Sequence, residues 1–126
     1  MRPPDQRFQK TERLRLRTAF AGVFAARCSV ADDVLVVYVA RNELAWSRLG
    51  ISVSKRIGHA VERNYVRRRI REAFRRNKPD LPVGLDIVCV ARPAARERQR
   101  DVADSLVTLV RRAERRRVAR DRRSIG

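Results

Sequence analysis

Hydrophobic positions along this chain change spacing several times, and each change marks an element. From Lys55 to Arg76 (KRIGHAVERNYVRRRIREAFRR) they recur at helical intervals. With successive residues about 100° apart, Val66, Ile70, Ala73 and Phe74 share one stripe. The pattern predicts a helix that starts near His59–Val61 and ends by Asn77, because Pro79 disfavours continuation. Earlier, Phe20, Val23 and Phe24 give a shorter helix over 17–27, with Thr18 as its candidate N-cap. Val34 to Arg41 (VLVVYVAR) is β-branched and bounded by polar residues, which suits a strand, and Asp32-Asp33 before it reads as a turn. Alternation in that strand puts Leu35, Val37 and Val39 on an aliphatic core face and Val36, Tyr38 and Ala40 on the other. Ser47 to Ser54 (SRLGISVS) alternates Leu49, Ile51 and Val53 with small or polar residues, giving a half-buried strand expected antiparallel to its predecessor. Leu85 to Ala91 (LDIVCVA) is a continuous apolar run closed by Pro93, hence a well-buried strand. A last helix covers 98–112, with Val102, Leu106, Leu109, Val110 and Ala113 on its apolar side.

The resulting order, α-β-β-α-β-α without internal repeats, predicts a single-domain α+β sandwich in which helices pack on a small sheet. Residues 1–11 contain Pro3 and Pro4 and no periodicity, so they read as a flexible N-terminal arm ahead of a domain over 12–113. Residues 114–126 read as a basic, disordered tail: 8 arginines fall between Arg111 and Arg123 without hydrophobic periodicity.

The far side of the long helix changes the picture. Asn64, Arg67, Arg68, Arg71 and Arg75 follow the same helical spacing opposite the apolar stripe. Arginines at i and i+4 repel by a few tenths of a kcal/mol per pair, and only Glu62 and Glu72 offset them within the helix. So dense a row suggests that a polyanion supplies the countercharge. A net charge of +17 and a pI near 11.7 point the same way, toward nucleic acid or an anionic membrane surface. No apolar run approaches the roughly 18–20 residues of a membrane span, which weakens the membrane option. Arginine outnumbers lysine 28 to 3. Guanidinium forks suit phosphate, but G+C-rich codon usage produces the same ratio, so the charge carries the signal and the arginine preference does not.

Catalytic chemistry is hard to assemble from these residues. His59 is the one histidine and, next to Gly58 at a helix start, reads as a cap or an RNA contact rather than a base. Cys28 and Cys89 lack metal-ligand spacing, so no zinc site is expected, and Cys89 falls in an apolar run as a buried thiol. No GxxxxGK[ST] or GxGxxG loop is present. Asp101 and Asp104 sit early in the last helix, where they favour its dipole. No secretory apolar region follows Met1, so a reduced cytoplasmic setting is the default. Binding chemistry is better represented. Phe20 and Phe24 form an i, i+4 pair and Tyr38 lies on the first strand, a set that could stack single-stranded bases beside cations. Phenylalanines at that spacing more often belong to a hydrophobic core.

Three stretches over residues 10–112 together resemble the protein component of bacterial ribonuclease P. They are RLRLRTAFAGVF, with its Phe20/Phe24 pair; LGISVSKRIGHAVERN; and the arginine helix with Arg63, Asn64, Arg67, Arg68 and Arg71. The resemblance implies a small mixed sheet with a left-handed β-α-β crossover around the basic helix. It implies a non-catalytic protein in an endoribonuclease whose RNA subunit, with Mg²⁺, cleaves the 5′ leader from precursor tRNA. Lys55, Arg56, Arg63, Asn64, Arg67, Arg68 and Arg71 would then contact RNA, and Phe20, Phe24 and Tyr38 would line a cleft for the leader. His59, Tyr65 and Arg75 are candidate extra contacts. Tyr65 stands where the family usually has a third basic residue, and His59 where it commonly has Asn. The expected partners are the ribonuclease P RNA and precursor tRNA, with no cofactor held by the protein, no membrane and no obligate protein partner. A ribosomal or ribosome-assembly RNA-binding protein is the alternative. A DNA-reading helix ranks last, because a uniform arginine row lacks mixed base-reading side chains.

Overall fold

The computed structural model describes residues 9–14, 17–26 and 28–125, except for the side chains of 18, 124 and 125. Among the described residues, three α-helices and a four-stranded mixed sheet follow the expected α+β plan. Helix α1 (Arg17–Ala25) leads to strand β1 (Ser29–Ala31), and Thr18 lies inside the helix rather than before it. Then come β2 (Leu35–Arg41), β3 (Arg48–Ser52), α2 (Ala60–Asn77), β4 (Leu85–Ala91) and α3 (Val102–Ile125). Strand β1 was not legible in the sequence. At three residues it is too short to show alternation, and it exists as the partner of β2 across the Asp32 turn. There the Asp32 carboxylate accepts from the N–H groups of Val34 (2.8 Å) and Leu35 (2.9 Å).

The sheet order is β1-β2-β4-β3, with β4 antiparallel to β2 and parallel to β3. Strand β3 therefore runs antiparallel to β2, as expected, but does not pair with it: β4 lies between the two strands. The physical reason is visible in burial. Leu85, Ile87, Cys89 and Ala91 face the main core, whereas Val88 faces a second cluster beneath α1, so β4 is covered on both sides. Such a strand belongs in the centre of a sheet. Arg48 pins the register, donating two 2.7 Å hydrogen bonds to the carboxylate of its cross-strand neighbour Asp86.

Helices α2 and α3 cover one face of the sheet. Val66, Ile70 and Phe74 meet Leu106, Leu109 and Val110 over Leu35, Val37 and Val39, the face read as core. Helix α1 covers the other face, where Val23 packs on Val88 and Leu14. The β3–α2–β4 unit joins adjacent parallel strands.

Parts of both terminal segments lie among the described residues. Residues 1–8 of the expected arm lie outside the described residues, but order is established by Lys10–Glu12, a 3-10 turn. There Glu12, 7% exposed, pairs with Lys78 at 2.7 Å. At the other end α3 continues through the expected disordered tail to Ile125. Arg117 bonds both Glu114 (2.6 Å) and Asp121 (2.7 Å), and Arg116 donates to the Ser29 carbonyl. These contacts hold a segment that has no apolar stripe to announce it.

Candidate nucleic-acid interface

The basic face begins at the junction between β3 and α2. The Ser54 hydroxyl accepts from the N–H of Arg56 and starts a 3-10 turn over Lys55–Ile57. Ile57 is buried and its carbonyl accepts from Arg96 (2.7 Å), so the turn is anchored while Lys55 and Arg56 stay exposed. Gly58 has φ +146, a conformation that favours glycine, and a Cβ there would stand 3.1 Å from Glu62. His59 occupies the N-cap position of α2, yet its imidazole makes no capping hydrogen bond.

Burial of Val66, Ile70, Ala73 and Phe74 fixes the rotation of α2 and turns the polar row outward. The Asn64 amide oxygen accepts from Arg67 (3.0 Å), which gives the lone amide a role in orienting a guanidinium. Arg67, Arg68 and Arg71 make no ion pair among the described residues. The Nε of Arg63 is buried without a hydrogen-bond partner among them. Arg75 differs: it bonds Glu72 at 2.7 and 3.2 Å, and that hydrogen bond holds the Glu72 carboxyl below its ordinary value. Its charge is therefore partly compensated, which sets it apart from the rest of the row. Tyr65 also departs from the row. Its ring lies 5.6 Å from the Arg69 guanidinium, and Arg69 is itself fixed by the carbonyls of Ala95, Glu97 and Arg100.

The aromatic candidates gather on the α1 side of the sheet. Phe24 meets Tyr38 edge-on with centroids 4.7 Å apart, and Phe20 lies 6.4 Å from Phe24. Val23 supplies the buried contact of α1, while Phe24 is 38% exposed and Phe20 and Tyr38 are half-buried. Phe20 and Tyr38 thus pack on the second core cluster, Phe24 rests on their rings, and all three stay partly accessible.

Phe20 links the aromatics to the arginines. With Leu49 and Ile51 of β3, Arg67 and Arg71 of α2, and Arg13 and Leu14, it lines a cleft of about 430 Å³. Gly50 permits this approach, since a Cβ there would come within 2.5 Å of the Phe20 ring. Arg13 was not among the expected site residues. It is placed by a parallel bridge to Leu49 and a 2.9 Å hydrogen bond from Leu14 N–H to the Leu49 carbonyl. Its sequence signal is only the alternation in RLRLR. A larger hollow of about 730 Å³ between α2 and the start of α3 mixes Glu72 and Asp101 with its arginines and has no aromatic ring in its lining, which sets it apart from the Phe20 cleft.

Among the described residues no three His, Cys, Asp or Glu side chains gather where they could hold a metal ion. None of the described helices is long and apolar enough to cross a membrane. Cys28 and Cys89 are free and buried, and burial pushes the Cys89 thiol up to about 12.

Comparison with known proteins agrees with this geometry. The sequence model of the family described as Ribonuclease P matches residues 8–114. The ribonuclease P protein component of Brevibacillus brevis is 43% identical over 107 residues, covering 83% of this chain and 85% of its own. That of Thermotoga maritima is 45% identical over 85 residues, covering 68% and 73%. Among solved structures, the RNase P protein of Thermotoga maritima superposes with a TM-score of 0.72 at 40% identity, covering 80% of this chain and 96% of that one. The Staphylococcus aureus RNase P protein gives 0.72 at 35% identity, covering 82% and 96%. With the motif, the fold and the relatives in agreement over the same residues, the chain belongs to the ribonuclease P protein family and is a protein subunit of that tRNA-processing endoribonuclease.

Proposed function

We propose that this subunit binds the ribonuclease P RNA through the basic face of α2 and its junction, and grips the unpaired 5′ leader of precursor tRNA in the cleft between α1, β3 and α2. Phosphodiester cleavage is then assigned to the RNA, with Mg²⁺ held there, as the family resemblance implies. The observation that carries the reading is the cleft itself. One wall offers an aromatic face at Phe20, continued by Phe24 and Tyr38, and the other offers the forks of Arg67 and Arg71. A single strand has both matching parts, bases that stack and phosphates that take charged hydrogen bonds. A duplex hides its bases and would leave the rings unused.

The role is sequence-tolerant, since every base has a stacking face. In the reconstituted holoenzyme, precursor tRNA should bind more tightly than mature tRNA. Phe20→Ala should weaken precursor binding by about 1–3 kcal/mol, roughly 5- to 150-fold, while mature tRNA binding stays the same. Phe24→Ala, at a more exposed ring, provides a second variant if Phe20→Ala loses its fold. Equal affinity of the wild-type holoenzyme for leader-bearing and leaderless tRNA would overturn the leader role.

A further inference from the structure

The last turns of α3 carry a second basic surface, and its charge is sorted by position. Between Arg111 and Arg123 there are 8 arginines and 2 acidic residues, a net of +6 (8 − 2). Both acids, Glu114 and Asp121, are bonded to one arginine, Arg117. With residues about 100° apart, Arg112, Arg115, Arg122 and Arg123 fall within an arc of about 100° that excludes all three. These four are exposed and make no ion pair or hydrogen bond among the described residues. Anchoring is left to others: Arg116 donates to the Ser29 carbonyl (3.0 Å), Arg120 to the Ala26 carbonyl, and the Ala113 carbonyl accepts from the Cys28 thiol (3.2 Å). A hollow of about 380 Å³ opens on this side, lined by Arg115, Arg116, Arg120 and Arg123 with Cys28 and Ala119, and no acid.

Position separates this surface from the leader cleft. The cleft lies on β3 and the α3 end lies beside β1, the two opposite edges of the sheet. Three strand spacings, about 14 Å, stand between those edges, with the core in between. The matched family region stops at residue 114, so most of this surface is outside what the family pattern describes.

We propose that the arginine face of α3 from Arg112 to Arg123 is a second docking surface, for the phosphate backbone of an RNA helix in the ribonuclease P RNA, so that the protein bridges two RNA segments from opposite edges of its sheet. Charge complementarity selects the occupant. Guanidinium groups repeated along about 16 Å of rigid helix, with no aromatic or amide group among them, suit backbone phosphates and offer nothing to read bases or stack them. This inference rests on the RNA-binding role proposed above.

The test compares wild type, Arg112→Gln/Arg115→Gln/Arg122→Gln/Arg123→Gln, and Arg67→Gln/Arg68→Gln/Arg71→Gln as full chains, measuring affinity for ribonuclease P RNA across a salt series. Because the four α3 arginines anchor nothing, the first variant should keep its thermal transition. It should bind the RNA tenfold or more weakly, with the log–log salt slope flattened by about 2 to 4, near 0.9 per lost contact. Wild-type affinity and slope in that variant, with a loss only in the α2 variant, would overturn the second surface and spare the first. Failure of wild type to bind the RNA would overturn both. A third arm uses vesicles of phosphatidylglycerol: loss of vesicle binding in the α3 variant with RNA binding unaltered would assign the surface to a membrane and overturn the proposal.

Discussion

Gly50 shows how one missing side chain shapes the interface. The Phe20 ring occupies the space a Cβ would take, 2.5 Å from its nearest carbon, so Gly50→Ala must push the ring away from β3. The expected cost is about 1–3 kcal/mol in urea unfolding, as for other overpacked sites, together with reduced preference for precursor over mature tRNA. Asn64 works in the opposite direction, by adding a contact: its 3.0 Å bond from Arg67 explains why an amide interrupts an otherwise cationic row. Cys89 is a third case. It is fully buried, and desolvation raises its thiol to about 12. In the folded protein it should resist alkylation by iodoacetamide at neutral pH and react when the chain unfolds. Rapid native-state labelling at Cys89, read by mass spectrometry, would contradict the described core.

The elements differ in how far the sequence reveals them. Helix α2 was legible in full, because four apolar residues at helical spacing dictate which side faces the core and so which side carries Asn64, Arg67, Arg68 and Arg71. Phe74, 2% exposed, closes that stripe, and Phe74→Ala should destabilise the fold by about 3–5 kcal/mol in the same unfolding assay. Sheet order was not legible. Strand β3 was expected antiparallel to β2 and runs that way, but only the double-sided burial of β4 explains why it separates them. The end of α3 also escaped notice, since side-chain-to-backbone bonds such as Arg116 to Ser29 leave no periodic trace. Nor could spacing show that Arg75 and Tyr65 turn to Glu72 and Arg69, because those contacts depend on how α2 meets its neighbours. The β1–β2 turn adds a pH dependence. Partial burial favours the neutral Asp32 carboxyl, but hydrogen bonds from Leu35, Ser105 and Val34 prevail and hold it below the ordinary 3.8. A carboxyl lowered in the folded state stabilises when ionised, so this contribution is complete above the ordinary value and lost as pH falls through the lowered one. Asp32→Asn should therefore reduce the loss of stability on acidification through that range, measured by thermal unfolding.

Among the described residues, positive charge lines more than one side of the sandwich. With about five to eight phosphate contacts on the α2 side, that side should contribute roughly −4 to −7 to the slope of log affinity against log salt, in addition to the share proposed for α3. A slope near zero would mean that the +17 net charge does not meet phosphate at all. The same architecture explains why one small domain can serve two RNA segments: α2 and β3 present arginines beside Phe20 in the cleft, and the opposite sheet edge presents the end of α3. The most direct measurement of the leader cleft places 4-thiouridine in the 5′ leader of precursor tRNA, cross-links it in the reconstituted holoenzyme, and maps the attached residues by mass spectrometry. The account predicts cross-links at Phe20, Phe24 or Tyr38 and the adjoining residues of α1 and β2. Cross-links confined to α3, or leader nucleotides attached only to RNA, would contradict it.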